Sequence, residues 1–136
     1  MRPAVCRGSK NVRGASVPPM KPTARIGSLL GAKLGQVHAI EPQATVYDAI
    51  TRMAEKGVGA LLVMEDASLV GIISERDYTR KVILQGRASK EAHVAEIMTR
   101  EVVTTSPDAS VEDAMRLMTE RRIRHLPVVS DNCVVG

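Results

Sequence analysis

Residues 42–71 recur at 107–136 without a gap, at a constant offset of 65, and 12 of the 30 aligned positions are identical. The shared positions include Pro42/Pro107, Val46/Val111, Asp48/Asp113, Ala49/Ala114, Met53/Met118, Leu61/Leu126, Val63/Val128 and Gly71/Gly136. A repeat of this length reads as one supersecondary unit used twice, each copy needing a neighbour to bury its apolar face. The expectation is two units related by approximate two-fold symmetry, with function to be sought in the cleft between them.

Both copies open in the same way. Thr45 and Asp48, three apart, have the spacing of a helix N-cap and its reciprocal acid. Val46, Ala49, Ile50, Met53 and Ala54 then recur at one-faced helical spacing until Gly57 stops the run. The apolar stretch 61–64, the polar 65–68 and the apolar 70–73 read as strand, turn and strand. A further helix is expected from Ser74 to near Gly86, and a polar connection leads to 94–98 and the extended piece 102–105. The second copy repeats the pattern, with Ser110 and Asp113 at the helix start, apolar positions at Val111, Ala114, Met115 and Met118, and strands at 126–129 and 133–135. Ahead of the first copy, 26–34 suits a short helix and 37–40 an extended segment.

Each copy is thus a β-α-β-β-α unit, and the fold class is α+β. In chain order, residues 1–25 form a basic leader, 26–87 the first repeat and 88–136 the second. The second is incomplete, because the counterpart of 72–84 would fall beyond Gly136.

The formal charge of +4 is unevenly spread. Residues 1–40 hold seven Lys/Arg and no acid, whereas 41–136 hold 12 Lys/Arg against 15 Asp/Glu, a net −3. A mildly acidic globular part whose only aromatics are Tyr47 and Tyr78 lacks the positive field and stacking platforms of nucleic-acid binding. No stretch reaches the roughly 20 apolar residues of a membrane span. Cys6 lies in the leader and Cys133 near an apolar strand, which favours reduced thiols over a structural disulfide. The leader itself, Arg-bearing, acid-free and dotted with Ser and Gly, has a transit-peptide profile, which points to an organelle, the mitochondrion ahead of the plastid. An unaddressed basic leader on a cytoplasmic protein is the alternative.

Three motifs stand in order inside the repeat: Gly-Ile-Ile-Ser-Glu-Arg-Asp at 71–77, Glu-Ile-Met-Thr at 96–99 and Ile-Arg-His-Leu-Pro-Val-Val at 123–129. With them the chain resembles cystathionine β-synthase (CBS) domains, two of which in tandem make a Bateman module. The resemblance covers about 26–136, and the stretch 75–90 is similar to small stand-alone CBS-pair proteins of plant organelles and proteobacteria.

The resemblance implies a regulatory, energy-sensing module that binds AMP, ADP, ATP or S-adenosylmethionine between the repeats and modulates a partner. It implies that Asp77 accepts the ribose hydroxyls and that Ser74 lies near the phosphate, at a helix start. Ser-x-x-Asp is equally the spacing of a capping box, and the two roles are compatible. It directs Arg124 and His125 at the phosphates, where otherwise they extend a solvated basic patch with Arg121 and Arg122. Ile40 and Ala60 are expected to wall the adenine, and Thr104, Thr105 and Ser106 to form the matching wall of the other half-site.

No nucleophile elbow, phosphate loop or metal-spaced Cys/His pattern occurs, and His38, His93 and His125 are scattered, so no enzyme, catalytic cofactor or metal site is expected. The competing reading is a ligand-free scaffold. CBS modules often associate into dimers through helical faces, and a homodimer is expected, with a regulated enzyme or thioredoxin as further partner.

Overall fold

The computed structural model describes residues 4–5, 24–31 and 36–136. The chain separates into two compact units, one of His38–Val102 and one of Pro3–Val37 with Val103–Gly136.

The unit of His38–Val102 is built on a three-stranded arrangement. Strand β2 (Ala39–Ile40) runs parallel to β3 (Ala60–Glu65), which pairs antiparallel with β4 (Ser68–Ser74). Between β2 and β3 runs α2 (Val46–Lys56), and its start is the expected capping box. The Asp48 amide donates to Thr45 Oγ1 at 3.1 Å and the Thr45 amide to Asp48 Oδ2 at 3.4 Å. Gly57 ends the helix at φ 65°, in the left-handed region where a side chain is disfavoured. The apolar stripe of α2 buries Val46, Ala49 and Met53 against Leu61, Val63 and Ile73. Each of the valine, leucine, isoleucine and methionine side chains contributes about 1.5–3 kcal/mol when fully buried.

After β4 the chain enters α3 (Glu75–Tyr78), which widens into a π-helical turn at Thr79–Ile83 where the Leu84 amide donates to Thr79 O at 3.1 Å. The short helix α4 (Val94–Ile97) then returns to the start of α2. There the Val94 amide donates to Ala44 O, the Ala95 amide to Pro42 O and the Val46 amide to Ala92 O, all at 2.8–2.9 Å. Ala92, Val94, Ile97 and Met98 complete the core.

The second unit uses the same grammar with a different chain order. Helix α5 (Val111–Arg121) begins at Ser110, whose Oγ accepts from the Asp113 amide at 3.1 Å. Strands β5 (Val129–Ser130) and β6 (Cys133–Val134) form an antiparallel hairpin, and Thr105 bridges Val128 in parallel as Ile40 does Val63. Its counterpart of α4 is α1 (Ile26–Leu30), counted with the first repeat in chain order. The Ile26 amide donates to Ala109 O, the Gly27 amide to Pro107 O and the Val111 amide to Ala24 O, at 2.8–2.9 Å. Ile26 is buried with Val111, Ala114 and Val128. The hairpin turns also match: Asp66 and Ala67 have φ 47° and 65°, Asp131 and Asn132 have φ 50° and 61°. Positive φ at both central residues is what a two-residue hairpin requires.

Within the leader, strand β1 (Ala4–Val5) pairs parallel with β6, and Arg25 bridges Ser110. The rest of 1–23, on which the targeting expectation rests, lies outside the described residues. One expectation is corrected: Cys133 is disulfide-bonded, where reduced thiols were favoured, and its partner lies outside the described residues. Residues 4–5 of the leader are not detached from the core, since β1 runs beside the strand that carries Cys133. Among the described residues no helix is long and apolar enough to cross a membrane.

Glu96 fixes the start of α4. The His93 amide donates to its Oε2 at 2.6 Å and Arg87 Nη2 to its Oε1 at 2.6 Å, and these contacts hold its carboxyl below the ordinary value of 4.5. A depressed folded pKa stabilises the fold above the unfolded value, and that contribution is lost as pH falls through the folded one. Glu96→Gln should therefore lower the melting temperature near neutral pH, and the difference should shrink as pH falls through the carboxylate range. Paired thermal melts across that range check it.

Candidate functional site

Strand β4 ends on Ser74, an extended residue that is also the N-cap of α3, so the serine stands where strand becomes helix. The junction is tied down by the Glu75 amide, which donates to Gly59 O at 3.0 Å, and by the register that sets Ser74 opposite Ala60. Asp77 folds back on it in a full capping box. The Ser74 amide and Ser74 Oγ both donate to Asp77 Oδ2 at 3.0 Å, and the Asp77 amide donates to Ser74 Oγ at 3.2 Å.

The other oxygen, Oδ1, is engaged as well. Lys81 Nζ, one helical turn on, lies 3.0 Å from it and also donates to Ile97 O at 2.8 Å. Thr99 Oγ1 donates to Oδ1 at the longer distance of 3.4 Å. Thr99 arrives through a bridge with Ile72, whose amide and carbonyl pair with its backbone at 3.0 and 2.8 Å. That bridge passes over Gly71, where a Cβ would stand 2.7 Å from Met98 Sδ and 3.0 Å from Thr99 O. The Asp77 side chain keeps 13 % of its surface exposed and Lys81 41 %.

Of the residues singled out in the sequence, Ser74, Asp77 and Ala60 meet at this strand end. Ile40 does not: it pairs with Val63, three residues along β3 from Ala60, or about 10 Å away at the rise of a strand. Its side chain is in the core at 4 % exposure, which leaves the backbone as the part able to line a site. Arg124 and His125 belong to the other unit, on the exposed loop between α5 and Val128. His125 is the repeat counterpart of Ala60, and Arg124 that of Gly59. Thr105 stands at the position equivalent to Ile40, with its amide donating to Pro127 O at 3.0 Å.

Sequence reasoning missed Lys81 and Thr99. The first carried a signal, since an acid followed by Lys four residues later in a helix is a favourable pair. The second lies in a recognisable motif, but its reach to Asp77 depends on the Ile72 bridge.

Comparison with known proteins identifies the family. The family model for the CBS domain matches twice, at 35–83 and 94–136. The CBS domain-containing mitochondrial protein CBSX3 of Arabidopsis thaliana is 50 % identical over 97 residues, which cover 68 % of this chain and 47 % of that protein. The CBS domain-containing protein YhcV of Bacillus subtilis is 38 % identical over 101 residues, 74 % of this chain and 71 % of that one. Among solved structures, a protein with CBS domains from Burkholderia ambifaria matches at TM-score 0.72 and 49 % identity over 74 % of each chain. The chain spans about half the length of its mitochondrial relative. With two family matches on the two repeats and the α+β units that the repeat predicts, the chain belongs to the CBS-domain family, as a tandem pair.

Proposed function

We propose that this protein is a non-catalytic regulatory module whose first repeat recognises the ribose of an adenosine-containing nucleotide through Asp77, and that ligand binding modulates a partner protein. The observation that carries the reading is the Ser74–Asp77 constellation: a carboxylate held by a capping box at a strand-to-helix junction, with part of its surface open. An ionised carboxylate only accepts hydrogen bonds and therefore suits a diol. The family resemblance assigns the phosphates to Arg124 and His125 and leaves AMP, ADP, ATP and S-adenosylmethionine as candidate ligands. Homodimerisation and control of an enzyme or thioredoxin are part of the same reading. A mitochondrial address is supported by the mitochondrial relative and the basic leader.

The test is calorimetric titration of the full chain with each of the four ligands. One of them should bind selectively and raise the melting temperature. Asp77→Asn should weaken it by roughly tenfold or more, the effect of losing a hydrogen bond to a charged acceptor, while circular dichroism stays unchanged. Binding that survives Asp77→Asn rejects the ribose assignment.

A second reading, a ligand-free scaffold for dimerisation or protein contacts, is favoured by the exposure of Ile83 at 53 % and Leu84 at 73 %. It gains if no nucleotide binds and Leu84→Asp lowers the oligomeric mass in sedimentation.

A further inference from the structure

The carboxylate assigned to the ribose already has a full set of partners. Two carboxylate oxygens offer about four lone-pair sites. On Oδ2 sit the Ser74 amide and Ser74 Oγ; on Oδ1 sit Lys81 Nζ and Thr99 Oγ1. A cis-diol brings two hydroxyl donors, so two of the present donors have to leave. Of the two on Oδ2, the Ser74 amide belongs to the capping box and cannot leave without undoing the start of α3, and the Ser74 hydroxyl is kept beside Oδ2 by the Asp77 amide, which donates to its oxygen. The two on Oδ1 can: the Thr99 contact is long at 3.4 Å, and Lys81 is a flexible, 41 % exposed side chain. Because Oδ2 alone fixes the orientation of the carboxylate, the hold of Lys81 on Oδ1 is occupancy rather than positioning.

We propose that Lys81 is a resident counter-ion in the ribose subsite, displaced from Asp77 on binding, and that it sets the threshold affinity of the first repeat. The proposal rests on the nucleotide reading above. The displacement also has a consequence within the unit. The same ammonium donates to Ile97 O at the end of α4, two residues before Thr99. A ligand that takes Oδ1 removes one tie of Lys81 and the Thr99 contact together, and so loosens the Ile97–Thr99 segment.

Neutral adenosine isolates the effect from any phosphate contact. In calorimetry on the full chain, Lys81→Met should bind adenosine about threefold tighter than wild type, the scale of a partly exposed ion pair. Lys81→Arg, which keeps the charge, should not tighten it. Adenosine affinity of the wild type should rise with potassium chloride as the ion pair is screened, and that of Lys81→Met should be flat. A weaker or unchanged Lys81→Met, or a wild type indifferent to salt, overturns the proposal. So does adenosine bound by neither form of a protein that binds AMP. If none of AMP, ADP, ATP and S-adenosylmethionine binds to any form, the nucleotide reading has failed, and the counter-ion role fails with it.

Discussion

Ile26→Asp should lower the stability of the unit containing α5 by about 3–5 kcal/mol, the combined scale of emptying a buried isoleucine site and placing an unpaired carboxylate there. Ile26 is 7 % exposed and packs with Val111, Ala114 and Val128, while three backbone hydrogen bonds tie 24–27 to 107–111. Leu29, on the same short helix but 37 % exposed, is the control, and Leu29→Asp should cost well under half as much. Amide exchange supplies the diagnostic. Because α1 packs on the second repeat, the amides of α5 should lose protection in Ile26→Asp before those of α2 do. Loss confined to α2 would mean that α1 serves the repeat it precedes in the chain.

That arrangement was beyond the reach of an ungapped repeat. The two copies align at an offset of 65, but the segments that complete their cores correspond at 68, with Ile26 playing the part of Val94. A constant offset therefore hides the kinship between 24–30 and 92–98, and chain order then assigns α1 to the wrong neighbour in space. Local features were legible because their causes are local. Thr45 with Asp48, Ser74 with Asp77 and Ser110 at the start of α5 begin helices through contacts three residues long. The strands at 60–65 and 68–74 followed from short apolar runs around a polar turn. The widening of the helix at Thr79–Ile83 had no such signature, since a π turn is made by hydrogen-bond register rather than residue type.

The candidate site divides along the same line. Ser74 and Asp77 could be paired from spacing alone, as could Ala60 once β3 and β4 were set in register. What Asp77 does with its second oxygen could not, because Thr99 lies 22 residues away and reaches it through a single bridge to β4. For Ile40 the side chain turns into the core, so that the expected wall rests there on the backbone.

Gly71 holds that bridge in place, and Gly71→Ala should destabilise the protein by about 2 kcal/mol, within the range for an overpacked site. The added methyl would stand 2.7 Å from Met98 Sδ and 3.0 Å from the Thr99 carbonyl oxygen. The sulfur ends a flexible side chain and can move. The carbonyl cannot, because it accepts from the Ile72 amide at 3.0 Å while the Thr99 amide donates back to Ile72 O at 2.8 Å. Gly57→Ala separates the two reasons for a glycine. Its φ is 65° with nothing within 4 Å of the new methyl, so it should cost only the backbone term of about 1 kcal/mol. Gly71→Ala should accordingly be the more damaging and should raise exchange at the Ile72 and Thr99 amides, whereas Gly57→Ala should leave them untouched. Equal losses with no change at Thr99 would mean that the close approach of 98–99 to β4 is not what glycine 71 is needed for. Because Thr99 Oγ1 is one of the donors on Asp77 Oδ1, the bridge over Gly71 also governs how that carboxylate is occupied. A methyl group at position 71 should thus alter nucleotide affinity through its contact with Thr99.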